Sequence, residues 1–220
     1  MTLELKKRII TSFFLLILLC LMYFYTFILI ISVLIISIIS WIEFNGLIFK
    51  IFKKKNNKDK LLRFCYKAIS LMYFLILIYL VLLIKSQKPD SEIFIIFSIL
   101  ISVMSDIGGL VVGKTFKGKK LTKISPNKTV SGSIGSFIFS LFLIPIFLEY
   151  LKNYDLLTLL IITLIISLTS QLGDLFISFL KRKARVKNTS DLLPGHGGIL
   201  DRIDGIIFAL PIGFLILVSF

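Results

Sequence analysis

The carboxylates Asp174, Asp201 and Asp204, a basic cluster, the only histidine and a glycine-rich turn crowd into residues 171–205, QLGDLFISFLKRKARVKNTSDLLPGHGGILDRIDG, between two apolar runs. Residues of these types suit a site for a polyanion and a metal ion at a membrane surface. Asp174 follows the apolar run 156–172. An ionised carboxylate costs about 2.5 to 3.5 kcal/mol near a bilayer centre and less toward an interface, so it needs a partner. The spacing of Asp201 and Asp204 places both on one face of a helix beginning near Gly198. Hard oxygens of this kind suit a magnesium ion that keeps some waters and takes other ligands from phosphates. Pro194-Gly195-His196-Gly197-Gly198 excludes regular helix, and its glycines let backbone N–H groups approach a ligand closely. A helix starting there would aim the positive end of its dipole at an anion. Lys181, Arg182, Arg185 and Lys187 add neutralising charge.

The elements that must position these residues are membrane helices. The chain has 220 residues, 57% of them hydrophobic, with mean hydropathy +0.97, which excludes an ordinary soluble domain. The expected fold is all-α, a polytopic transmembrane helix bundle of about seven spans with a cytoplasmic N-terminus. The spans fall near 9–25, 26–48, 66–84, 93–112, 133–148, 156–180 and 203–220. The start, MTLELKKRIITSFFLL, has the basic and apolar regions of a signal peptide, but the apolar run continues to Phe49 with no convincing cleavage site. Between the second and third spans, 50–67 reads as a strongly basic loop, and Glu43 beside it reads as an interfacial carboxylate partnered by a nearby lysine. Cys20 and Cys65 read as packing residues. The whole chain, 1–220, is expected to be one integral membrane domain.

A net charge of +14 could suggest nucleic acid. In a membrane chain a basic excess instead marks cytoplasmic loops and anionic lipid headgroups, and no nucleic-acid-binding motif is present, so membrane lipids are the expected partners. Of the 26 lysines and arginines, all but Lys85, Lys88 and Lys152 fall in segments that share one side when the N-terminus is inside. The positive-inside rule therefore places the segments 105–135 and 171–205 on the cytoplasmic face.

The second informative stretch, GKTFKGKKLTKISPNKTVSGSIG at 113–135, follows Asp106 and a glycine pair. Gly108 to Thr115 satisfies the P-loop pattern G-x-x-x-x-G-K-[ST] literally. Context rejects it, because a P-loop follows a strand of an α/β sheet and these glycines lie at the end of an apolar span. Asp106 itself has two readings: a functional carboxylate, or one bonded to a serine or backbone group on a neighbouring helix.

The C-terminal stretch resembles the signature of the phosphatidate cytidylyltransferases, approximately S-x-x-K-R-x-x-x-x-K-D-x-x-x-x-x-P-G-H-G-G-x-x-D-R-x-D. Ser178, Lys181, Arg182, Lys187, Pro194, Gly195, His196, Gly197, Gly198, Asp201, Arg202 and Asp204 match in register, as does Gln171-x-Gly173-Asp174-Leu175 before them. The upstream stretch is similar to the family's aspartate, G-[KR]-x-F-G-[KR] and S-P-x-K-T-x-x-G elements. Asp106, Gly113, Lys114, Phe116, Gly118, Lys119, Ser125, Pro126, Lys128, Thr129 and Gly132 fit there. Position 117 adds a lysine, 131 is serine where glutamate is frequent, and 188 is asparagine where the family usually has aspartate. Asn188 keeps an acceptor oxygen and loses the charge, which shifts the expected metal role to Asp174 and Asp201.

The resemblance implies an integral membrane enzyme, in a bacterial inner membrane with a cytoplasmic active site, that makes CDP-diacylglycerol and pyrophosphate from CTP and phosphatidate in phospholipid biosynthesis. Asp174 and Asp201 would hold magnesium, with Asp204 as a further ligand or support. Lys181, Arg182, Lys187 and Arg202 would neutralise phosphates beside Lys114, Lys128, Ser125 and Thr129, with Asp106, Gly197 and Gly198 in the substrate site. His196 would protonate a leaving group or hold the turn. A CTP-dependent polyprenol or phytol kinase and a non-catalytic lipid- or nucleotide-binding relative are the alternatives, and homo-oligomerisation stays open.

Overall fold

The structure, a computed structural model, describes residues 10–11, 13–14, 17–18, 20–22, 24–53, 56–86 and 92–219. Their regular structure is helical: α1 Thr26–Ile51, α2 Asn57–Ser86, α3 Glu92–Phe116, α4 Val130–Leu141, α5 Ile144–Phe147, α6 Leu156–Lys183, α7 Leu200–Ile203 and α8 Ile206–Ser219. Five segments among the described residues are long and apolar enough to cross a membrane: Thr26–Ile51, Asn57–Leu83, Ile93–Phe116, Val130–Phe147 and Leu156–Lys183. The expected first span falls largely outside the described residues. The expected last one is the shorter apolar helix α8.

Packing divides the chain into two units. One takes the chain up to Leu82 together with Leu180–Ile203, and the other takes Leu83–Phe179 with Asp204–Phe220.

In the first unit α1 begins where the apolar run was expected to divide, with Tyr25 extended as its N-cap. The basic loop expected over 50–67 is mostly helix: α1 continues to Ile51 and α2 starts at Asn57, with Asp59 in its first turn. Aromatic surface lets these charges sit on helix, because long basic side chains lay their stems along apolar faces. Arg63 stands over the Phe49 ring at 5.0 Å and Lys67 over Trp41 at 5.4 Å, while Phe52 and Tyr66 stack at 5.6 Å.

The second unit is built around α3, α4, α6 and α8. Its core gathers Phe97, Ile101, Phe147, Ile162, Ile166 and Leu217, all nearly or fully buried. Small residues let α3 and α4 meet backbone to backbone, the packing mode that lipid-embedded helices favour. A Cβ on Gly132 would stand 2.7 Å from the Gly109 carbonyl oxygen, and one on Gly113 would stand 3.0 Å from Thr129 Oγ1. The glycines of the P-loop look-alike are thus helix-packing residues. Buried hydroxyls continue the seam, with Ser102 and Ser170 at 2.7 Å and Ser136 donating to the Ser105 carbonyl at 2.7 Å. The span expected over 133–148 starts earlier, at Val130, because Thr129 caps it by accepting from Gly132 N at 3.0 Å. It is also interrupted before Pro145, which lacks the N–H that a continuous ladder needs.

Helix α6 is capped by Asp155, whose carboxyl lies below the ordinary range chiefly because the Thr158 hydroxyl donates to it. At its other end Arg185 takes φ 57°, Val186 N donates to the Lys181 carbonyl at 3.0 Å and Arg185 N to that of Arg182 at 3.1 Å. This is a Schellman closure without the usual glycine.

Candidate active site

The first unit holds the glycine-rich part of the signature. Leu193 and Gly197 form an antiparallel bridge that closes the Pro194–Gly197 turn, and His196 N donates to the Leu193 carbonyl at 2.9 Å. Gly195 and Gly197 have φ of 78° and 86°, a region that β-carbons disfavour. The helix expected from Gly198 onward begins at Leu200, lasts one turn and ends before Asp204. Asp201 and Asp204 therefore do not share a helix face. Asp204 sits buried in the following turn, where its Oδ1 accepts from Gly205 N at 3.0 Å, a local bond that competes with continued helix.

Asp201 is the centre of this part. Lys181 Nζ reaches its Oδ1 at 2.7 Å, and its Oδ2 accepts from Thr189 N at 2.8 Å and Gly198 N at 3.0 Å, with Thr189 Oγ1 also at 3.0 Å. Burial is the largest influence on its pKa and acts upward. The Lys181 hydrogen bond, the two backbone donors and the Lys181 charge together outweigh it, so the carboxyl titrates below its ordinary value. The stability these donors contribute is present above the unfolded value of 3.8 and is lost as pH falls through the lower folded value. A Cβ on Gly197 would stand 2.9 Å from Asp201 Oδ2 and 3.1 Å from Asn188 Cγ, so position 188 packs beside this carboxylate.

His196 lies in the Pro194–Gly197 turn. Its Nδ1 is 2.7 Å from Thr11 Oγ1, and its carbonyl accepts from Arg202 Nε at 3.0 Å and Nη2 at 2.5 Å. Lys187 and Arg182 are exposed.

Sequence reasoning missed Glu43. It is 6% exposed, and among the described residues it meets hydroxyl and N–H donors and not the neighbouring lysine expected. Its Oε1 accepts from Ser190 Oγ at 2.6 Å and Ile199 N at 3.1 Å, and its Oε2 from Thr189 Oγ1 and Leu200 N, both at 2.8 Å. The signal available was a lone carboxylate in an apolar helix. Its partners, more than 140 positions away in sequence, were not legible.

The second unit holds the other motif. The loop after α3 closes on an antiparallel bridge between Lys120 and Thr129, with Leu121 N donating to the Lys128 carbonyl at 2.8 Å. Ser125 to Lys128 is a turn around Pro126, with Lys128 N donating to the Ser125 carbonyl at 3.0 Å. From this loop Lys128 Nζ reaches Asp174 Oδ2 on α6, and Ser178 Oγ donates to Oδ1 at 3.3 Å. Asp106 on α3 lies within electrostatic reach of both Asp174 and Lys128. One turn before Asp174, Gln171 accepts from Ser133 Oγ at 2.5 Å, and its buried Nε2 has no hydrogen-bond partner among the described residues. Lys114 lies exposed in the last turn of α3.

The structure therefore gathers Lys181, Asp201, Gly197 and Gly198 in one unit and Asp106, Lys128, Asp174 and Ser178 in the other. Asp204 belongs with the second group's unit. Among the described residues no three His, Cys, Asp or Glu side chains converge as a metal-holding group. The donor chemistry fits a magnesium ion that takes most of its ligands from water and phosphate, and does not fit a cage of three protein carboxylates.

Fold and site define an integral membrane protein of several apolar helices, carrying a lysine–carboxylate pair in each unit. The chain belongs to the cytidylyltransferase family, whose sequence model matches residues 3–220. It is 37% identical over 162 residues to a phosphatidate cytidylyltransferase of Staphylococcus haemolyticus (strain JCSC1435), covering 72% of this chain and 58% of that one. It is 39% identical over 163 residues to one of Rickettsia bellii (strain RML369-C), covering 67% and 70%. It is 42% identical over 129 residues to one of Bacillus subtilis (strain 168), covering 58% and 48%. The chain thus spans between 48% and 70% of the length of these relatives.

Proposed function

We propose that this chain transfers the cytidylyl group of CTP to phosphatidate, giving CDP-diacylglycerol and pyrophosphate. The observation that carries the reading is the signature loop of a cytidylyltransferase family member closed around Asp201, with Lys181 paired to it at 2.7 Å. A phosphatidate oxygen attacks the α-phosphorus of CTP, a P–O–P bond forms, and the bond to the β-phosphate oxygen breaks as pyrophosphate leaves. No side chain has to form a covalent bond, so positioning and charge neutralisation do the catalysis.

Lys181 and Lys128 suit that task, since each is held by a carboxylate in a fixed direction and can share its protons with an arriving phosphate. Arg202, Arg182, Lys187 and Lys114 add charge, while the buried Gln171 amide offers a donor beside Asp174. Thr129 serves as a helix cap and Ser125 sits in the Pro126 turn, both fixing the loop that presents Lys128. We assign magnesium to Asp174, the more exposed of the two lysine-paired carboxylates, where the ion when bound would neutralise phosphate charge and ease departure of pyrophosphate, while Asp201 and Asp204 are engaged by donors of their own surroundings. We place the N-terminus and both motif segments on the cytoplasmic side of a bacterial inner membrane, in one membrane domain of about seven spans. The charge asymmetry supports that placement.

The test uses purified protein in detergent with α-labelled CTP, phosphatidate and magnesium. Lipid-extractable cytidine label appearing together with pyrophosphate supports the reading. Label absent from lipid under conditions where the Bacillus subtilis relative is active overturns it, and γ-labelled CTP then tests the kinase alternative.

A further inference from the structure

We propose that Glu43 is a positioning residue for the transfer reaction: a carboxylate on a membrane helix that fixes the signature loop from outside the motif and so sets the direction of Asp201. The kinetic part of this inference rests on the function proposed above.

Glu43 sits on α1 and shares the Thr189 hydroxyl with Asp201. Among the described residues its four hydrogen-bond donors belong to the signature segment, two as hydroxyls of Thr189 and Ser190 and two as backbone N–H groups of Ile199 and Leu200. The backbone pair belongs to the entry of α7, where N–H groups have no partner within the helix. Three of the four donors lie beside groups that bind Asp201. Thr189 N donates to Asp201 while Thr189 Oγ1 reaches both carboxylates, and Gly198 N, which donates to Asp201, precedes the Ile199 and Leu200 amides that face Glu43. The Thr189 hydroxyl has one proton for two acceptors. Its shorter contact is to Glu43, at 2.8 Å against 3.0 Å. Asp201 is then left with its backbone donors and Lys181.

Gly198 shows how tightly the two carboxylates share this loop. A Cβ there would collide with Thr189 Oγ1 and stand 2.5 Å from Glu43 Oε2. The same is true on the other side at Gly197, where the obstacle is Asp201. The double glycine of the motif is therefore the gap between an anchoring carboxylate and a working one.

Charge and symmetry of the acceptor both count. Each Glu43 oxygen accepts one hydroxyl and one N–H, so glutamine in either orientation points its NH2 group at one backbone N–H, while the hydroxyl beside it can turn to accept. Glu43→Gln preserves volume and the apolar packing of α1 while opposing one backbone donor and removing the charge that strengthens the other bonds.

The experiment compares wild type, Glu43→Gln and Thr189→Val by steady-state transfer, thermal midpoint and hydrogen exchange of the 187–203 segment, all in the same detergent. The expected result for Glu43→Gln is a kcat about 10²-fold lower, with KM for CTP and phosphatidate within about 3-fold, because the loop is displaced and not removed. The Ile199 and Leu200 amides exchange faster, and Thr189→Val moves in the same direction by less. A Glu43→Gln protein with wild-type kcat, or one whose 187–203 exchange is unchanged, overturns the inference. If Glu43→Gln does not fold, Thr189→Val decides alone, and unchanged kcat with unchanged exchange overturns it. If the wild type itself makes no CDP-lipid, the functional reading fails separately. The exchange of Ile199 and Leu200 then still supports or overturns the anchoring role.

Discussion

Asp201 and Asp174 are both carboxylates paired to a lysine, yet they live in opposite conditions. Asp201 has a side chain only 6% exposed, one oxygen engaged by Lys181 and the other by N–H groups of a closed loop, whereas Asp174 is 23% exposed and meets a lysine from the loop after α3 and one serine of its own helix. A carboxylate wrapped by backbone N–H groups cannot turn, and holds the loop as much as the loop holds it. One that faces a partly solvated lysine can change partners at little cost. The difference separates a carboxylate that organises its surroundings from one that is available to a ligand.

The largest effect should come from Asp201→Ala. It leaves Lys181 buried without its counter-charge and two N–H groups without an acceptor, and should cost about 3 to 5 kcal/mol of stability. Transfer should fall by at least about 10³-fold. Thermal midpoint and turnover measured on one preparation read both. Asp174→Asn should cut transfer by about 10²-fold or more while changing stability by less than about 1 kcal/mol, since its lysine stays hydrated. Equal stability losses in the two variants would break the comparison. Ser178→Ala, which removes a long 3.3 Å bond to Asp174, should change turnover only a few-fold and stability by about 0.5 kcal/mol. A larger loss there would mean that Asp174 is held more firmly than its exposure indicates.

Much of this site was readable in the residues themselves. Pro194 to Gly198 announced a turn, the apolar run from 156 announced α6, and the glycines of 108–113 declared themselves unsuited to a P-loop by lying in an apolar span. What stayed hidden depended on contacts between distant segments. Nothing near Glu43 in sequence signals that it caps a helix beginning at Leu200. The extension of α2 into the basic run was concealed because charge density reads as loop, whereas Arg63 and Lys67 rest on aromatic rings. The one-turn length of α7 follows from Asp204 bonding its neighbour's amide, a choice that helical spacing alone does not reveal. The break before Pro145 was within reach of sequence reasoning and is the plainest of these differences.

The buried hydroxyl seam bears on how the chain is made. Ser98 and Thr163 donate to the carbonyls of Phe94 and Leu159 in their own helices, at 2.8 Å and 2.7 Å. Ser140 has both kinds of acceptor, the Ser136 carbonyl of its own helix at 2.8 Å and Ser167 on α6 at 3.1 Å. A helix whose serines can satisfy themselves enters lipid alone without an orphaned donor, and its hydroxyls are free to change acceptor once a neighbour arrives. Insertion and assembly can thus follow one another during biosynthesis, with each newly translocated segment stable enough in the bilayer to wait for the next.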